Sequence, residues 1–141
     1  MELAPEATVD QALWMLLAVS LGALVGLERR LRGHPAGIHT NSLVALGSAA
    51  FVIAGFMFGA DPARVAAQVV TGSGFICAGV ILHQGADIRG LNTAATLWCA
   101  SAIGVMAGVG RPALAALLAA IVLTVNITLH YVEHNVFKQQ P

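Results

Sequence analysis

The chain has 141 residues, 57% of them hydrophobic and only 10% charged, with seven basic side chains balanced by seven acidic ones. An ordinary soluble domain carries about 25% charged residues, so the composition excludes a water-soluble fold, and neutrality removes any bulk electrostatic attraction to nucleic acid. Five stretches poor in charge, each close to the roughly 20 residues that cross a bilayer core, take up nearly the whole length. They predict an all-α integral membrane bundle of five transmembrane helices, a single domain over 1–141.

The first predicted span covers 10–27. Glu2, Glu6 and Asp10 lie before or at its start in place of a basic leader, which with four later spans argues against a cleaved signal peptide. It runs into Glu28-Arg29-Arg30-Leu31-Arg32. A carboxylate at a helix C-terminus opposes the helix dipole, so Glu28 needs a cation beside it, either one of these arginines or a metal ion. Pro35-Ala36-Gly37 breaks the chain, and Thr40, Asn41 or Ser42 can cap a second span at 41–60. Asp61-Pro62 reads as an N-cap followed by proline at the first helical position, opening a third span at 62–82. A polar turn at 83–87 follows. Asn92-Thr93 offers a cap for the fourth span at 93–109, and Arg111-Pro112 opens the fifth at 112–131.

Basic residues set the orientation. With the N-terminus outside and the C-terminus inside, the inner segments hold Arg29, Arg30, Arg32, Arg89 and Lys138, and the outer ones only Arg64 and Arg111. All five histidines (His34, His39, His83, His130, His134) then lie at the cytoplasmic face.

Three glycine pairs, Gly22/Gly26, Gly55/Gly59 and Gly104/Gly108, each share a helix face and let backbones approach closely. They serve packing within the bundle, a subunit interface, or both, with a homodimer the favoured oligomer. Cys77 and Cys99 fall inside spans and are expected to be small packing residues.

Polar residues inside spans are the candidate functional groups. Arg64, Gln68 and Thr71 share a face of the third span; Asn92, Thr96 and Cys99 share one on the fourth. If both faces turn inward they meet in a polar seam through the bundle, and Arg64 is expected to be paired with Asp61, another carboxylate or a carbonyl. Asn126, His130, Glu133 and His134 form a patch that suits a metal clamp or a pH sensor, though the spacing is diagnostic of neither. Gly72-Ser73-Gly74 lacks the lysine of a phosphate loop, and no Ser-His-Asp set is brought together. The chain is read as a non-enzyme.

Three stretches carry a family resemblance: GALVGLERRLRGHPAGIHTNSLVALGSAAFV (22–52), DPARVAAQVVTGSGFICAGVIL (61–82) and DIRGLNTAATLWCASAIGVMAGVG (87–110). Together they resemble the MgtC/SapB membrane-protein family, and RGLNTAATLWC is nearer to its MgtC branch. The resemblance implies a five-span protein of the bacterial inner membrane, active in adaptation to low magnesium and in virulence or survival inside macrophages. It also implies regulation of a membrane partner, such as the F-type ATP synthase or a cation-transporting ATPase. Transport of magnesium or another cation is the alternative, with Glu28 and Asp61 as candidate ligands for Mg2+. The motif residues carried over are Glu28, Arg29, Thr40, Asn41, Asp61, Arg64, Gln68, Arg89, Asn92, Thr93 and Thr96. His39 stands where arginine is common, and Ser73 and Cys77 replace an apolar residue and a glycine. MgtC proper continues into a soluble C-terminal domain, whereas the sequence here ends at Pro141.

Overall fold

The computed structural model describes residues 9–84 and 87–136. Its helices are α1 (Val9–Leu31), α2 (Ile38–Met57), α3 (Pro62–Val80), α4 (Leu91–Gly108) and α5 (Pro112–Val136), all five long and apolar enough to cross a membrane. Between α3 and α4, strands β1 (Leu82–Gln84) and β2 (Asp87–Arg89) pair antiparallel, Leu82 opposite Arg89 and Gln84 opposite Asp87. Where a polar turn was expected, the backbone thus closes a two-stranded ribbon.

Helix boundaries follow from local chemistry. Asp61 caps α3 as expected: its Oδ1 accepts from the Ala63 amide at 3.0 Å, and Pro62 follows directly. The other two expected side-chain caps do not form. Helix α2 begins at Ile38, after Gly37, and α4 begins at Leu91, after Gly90 at φ 94°, neither with a capping side chain. The Asn41 amide instead donates backwards to the Ala36 and Gly37 carbonyls, at 3.0 and 2.9 Å, and ties down the α1–α2 turn. Helix α1 continues through Glu28 and Arg29, because Schellman-type closure comes only at Gly33, where the His34 amide bonds to Arg29 O at 3.0 Å.

Helices α2 and α4 form the centre, and α4 is the most buried of the five. Their contact is made by glycine. A Cβ on Gly108 would lie 2.8 Å from Ala49 O, and one on Gly104 would collide with Ala45 O. On the other side of α2, a Cβ at Gly22 would meet Asn41 O at 2.7 Å, and one at Gly26 would meet Gly37 O at the same distance. Lipid tails are as apolar as leucine, so close dispersion contact of this kind holds the helices together. Both pairs are therefore consumed inside the bundle, which removes them as subunit-interface faces. The third pair divides: Gly55 packs on Val65 of α3, whereas Gly59, at φ 67°, ends α2 and has open space around it. Gly59 stops a helix and packs against nothing.

Ala18, Ala45, Ala49, Ile103, Ala107, Ala115 and Ala119 fill the centre between α1, α2, α4 and α5. A polar contact crosses it, Ser48 to Ser101 at 2.9 Å. Outward, Leu16, Phe51, Phe75, Leu117, Ile121 and Leu129 are exposed, as a lipid-facing surface requires.

Candidate functional site

Consecutive helices run antiparallel, so the C-termini of α1, α3 and α5 gather at one end with the N-termini of α2 and α4. Several of the expected polar residues line two cavities, one at this arginine-rich end and one along the edge of the bundle.

The first cavity, about 360 Å3, lies between α1, α4 and α5. Arg29, His34, Asn92, Thr96, Asn126 and His130 give it polar groups, and Leu118, Ile121, Val122, Val125 and Leu129 form an apolar wall. Arg29 is 4% exposed; its Nη2 donates to the Thr93 hydroxyl at 3.3 Å, and its Nε is buried without a partner. Glu28 is also buried, and it pairs with Arg32 one turn on, their closest atoms 2.5 Å apart but not aligned as a hydrogen bond. Its other oxygen accepts from Asn126 Nδ2 at 3.4 Å. One carboxylate therefore serves Arg32 and Asn126, and the Arg29 charge has no carboxylate to itself. Burial, and then the charge of Arg29, hold His34 below its ordinary imidazole pKa, with His130 and Arg32 adding to the effect and Glu28 opposing it.

The second cavity, about 610 Å3, opens between α2 and α3. Arg64, Gln68 and Ser73 line one side, with Ser48, Gly47 and Phe51 opposite. Arg64 and Gln68 are exposed; Arg64 makes no ion pair or hydrogen bond among the described residues, so the expected pairing with Asp61 does not occur. Thr71 is exposed too and returns its hydroxyl to Ala67 O at 3.0 Å.

The polar seam is thereby corrected. Helix α3 sits at the edge of the bundle and packs Val65 and Val69 against Val52 and Val105, because apolar branched side chains fit that contact without desolvating a charge. That rotation leaves Arg64 and Gln68 on the α2–α3 cavity, while Asn92, Thr96 and Cys99 line the cavity on the far side of α4. The two faces expected to meet, Arg64 with Gln68 and Asn92 with Thr96, therefore stand in two separate places.

The remaining expected residues are dispersed. Asn41 is fully buried at the α1–α2 turn, Thr40 is half-buried beside it, and Asp61 and Arg89 are exposed. The candidate metal ligands Glu28 and Asp61 stand at opposite ends of the bundle, about 28 Å apart for a helix as long as α3, and so share no site. Glu28 is also taken by Arg32 and Asn126. No three His, Cys, Asp or Glu side chains among the described residues are placed to hold an ion. The side chains of Glu133 and His134, and residue Lys138, lie outside the described residues. Both cysteines are free thiols, and Cys77 Sγ donates to Ala94 O at 3.2 Å, tying α3 to α4.

His34 and the Glu28–Asn126 contact were missing from the expected cluster. Asn126 and His130 one turn apart did flag that face of α5, but nothing local links them to Glu28, 98 residues away from Asn126.

The MgtC family profile matches residues 15–135. The chain is 51% identical to Protein MgtC of Salmonella typhimurium (strain LT2) over 118 residues, 82% of this chain and 50% of that protein. It is 48% identical to Protein MgtC of Brucella abortus (strain 2308) over 114 residues, 79% of this chain and 48% of that one. The chain thus spans about half the length of the curated relatives it matches. No solved structure matches it.

Proposed function

Because the chain belongs to the MgtC family, which is linked to magnesium adaptation and virulence, we propose that it works in the bacterial inner membrane by contact with a membrane partner and conducts no ion. The observation that carries this is the interrupted polar path. Between the two cavities stand Ile103, Ala107, Ala45 and Ala49, all fully buried, and the glycine contacts of α2 with α4. Among the described residues, the serine pair Ser48–Ser101 crosses that layer. Magnesium keeps several of its waters and is usually held through one or two carboxylates. The larger cavity offers Arg64 instead, a charge of the wrong sign.

A regulatory role needs exposed surface. Helices α3 and α5 present most of theirs, and α3 adds Gly72, Gly74 and Gly79, where a Cβ would meet open space. Helix–helix contact with a cation-transporting ATPase, the ATP synthase or a second copy of this chain uses such faces. The arginine-rich end is the cytoplasmic end in this reading, which reporter fusions before α1 and after α5 check.

Flux measurement is the deciding experiment. The chain reconstituted in liposomes should pass no more magnesium than empty vesicles, while restoring growth at low magnesium to cells lacking their own copy. Protein-dependent, saturable magnesium uptake into the vesicles would refute the proposal in favour of transport.

A further inference from the structure

We infer that the cavity between α1, α4 and α5 binds one anionic phospholipid, with its phosphate on Arg29 and an acyl chain along the α5 wall. This goes beyond partner regulation and stands whether or not a protein partner exists.

The first observation is the state of Arg29. A guanidinium 4% exposed, with one neutral hydroxyl as its hydrogen-bond partner and a buried Nε without any, is offset only through space by the Glu28 carboxylate beside it and has no anion bonded to it. Leaving a buried charge without a bonded counter-ion is costly, and the nearest carboxylate is engaged by Arg32 and Asn126. An anion entering from the cavity would complete the site. Phosphate suits it, because the arginine fork matches phosphate oxygens and Asn92 stands on the same cavity to donate another hydrogen bond.

The second observation identifies the anion as a lipid. Below this polar mouth the cavity is walled by Ile121, Val125 and Leu129, which are also half-exposed on the lipid-facing side of α5. The cavity therefore opens sideways into the bilayer. A free ion gains nothing from an apolar wall, whereas an acyl chain lies along it while the headgroup stays at the helix ends. Basic pockets between helices at the cytoplasmic side are suited to anionic headgroups for this reason.

The third observation is electrostatic. After burial, the Arg29 charge is the next cause that lowers the His34 pKa, with Glu28 opposing it, so the Arg29 charge is felt at the mouth of the cavity.

The test uses the full chain purified in mild detergent, with phosphatidylglycerol, phosphatidylcholine and inorganic phosphate as probes and native mass spectrometry as readout. One phosphatidylglycerol per chain should be retained about tenfold more strongly than phosphatidylcholine, and Arg29→Gln should abolish that preference. Since Arg29 also holds Thr93, Val125→Trp provides a second arm: it keeps every charge and puts an indole where the acyl chain would lie. It too should lose the lipid. Equal retention of the two lipids, or full retention of phosphatidylglycerol by Val125→Trp, would overturn the inference. So would inorganic phosphate that raises the melting temperature of wild type and Val125→Trp alike, which would assign the site to a free anion.

Discussion

Replacing glycine by alanine at three positions should give three different outcomes. At Gly108 the new methyl would stand 2.8 Å from Ala49 O, 3.0 Å from Ala49 Cα and 3.1 Å from Val52 Cβ. Two of these three neighbours are backbone atoms that cannot rotate away, so α4 must move off α2 by about 0.6 Å to restore ordinary contact. Overpacking of this kind costs about 1–3 kcal/mol. Gly104 is tighter: its methyl would collide with Ala45 O and lie 2.8 Å from Ser48 Cβ, which puts Gly104→Ala at or above the top of that range. Gly72 on α3 has nothing within 4 Å, so Gly72→Ala meets no clash and gains up to about 1 kcal/mol of helix propensity. Reversible unfolding in mixed micelles, titrated with sodium dodecyl sulfate, should rank the variants Gly72→Ala, wild type, Gly108→Ala, Gly104→Ala from most to least stable. Light scattering on the folded fractions should show one particle mass throughout. If Gly104→Ala keeps wild-type stability and alters only the particle mass, the glycine faces a second subunit and the packing described above is wrong.

Three further outcomes are expected. The Ser48–Ser101 contact should show a coupling of about 0.6 kcal/mol, and below about 1.7, in a double-mutant cycle of Ser48→Ala and Ser101→Ala; a larger value would mean the pair carries more than a local hydrogen bond. Asp61→Ala removes the α3 cap and should cost about 1 kcal/mol, with Asp61→Asn or Asp61→Ser recovering most of it in the same assay. His34, depressed in the folded state, supports stability while it is neutral. Melting temperature should therefore fall as pH drops below the unfolded value of about 6.5 and on through the lower folded pKa, with a shallower slope in His34→Gln; an equal slope in the variant would mean that other groups titrate there.

The motif residues show why the candidate site was only half legible. Arg29, Asn92, Thr93 and Thr96 stand out in the sequence, and Arg29, Asn92 and Thr96 do come together around one cavity, with Thr93 bonded to Arg29, because α1 ends where α4 begins. Arg64 and Gln68 stand out equally, yet they line another cavity. A helical stripe states which residues share a face, and the direction of that face depends on what the neighbouring helix offers. For α3 the neighbour offers Val52 and Val105, so Val65 and Val69 turn inward.

The sequence alone determines that five helices form and about where each starts and stops. Backbone groups in lipid must be satisfied within a segment, so length, charge-free runs, and proline and glycine punctuation leave little else for the chain to do. Asp61-Pro62 shows this at the level of a single cap. Only the tertiary structure decided which glycines pack and which merely end a helix. Gly55 and Gly59 look alike in the sequence, yet one touches Val65 and the other ends α2 in a left-handed turn. Tertiary structure likewise decided that Glu28 meets Asn126 while Arg29 keeps an unpartnered nitrogen. Those contacts arise from rigid helices meeting across 64 and 98 residues of chain, and helical period, which acts over a few residues, carries no information about them.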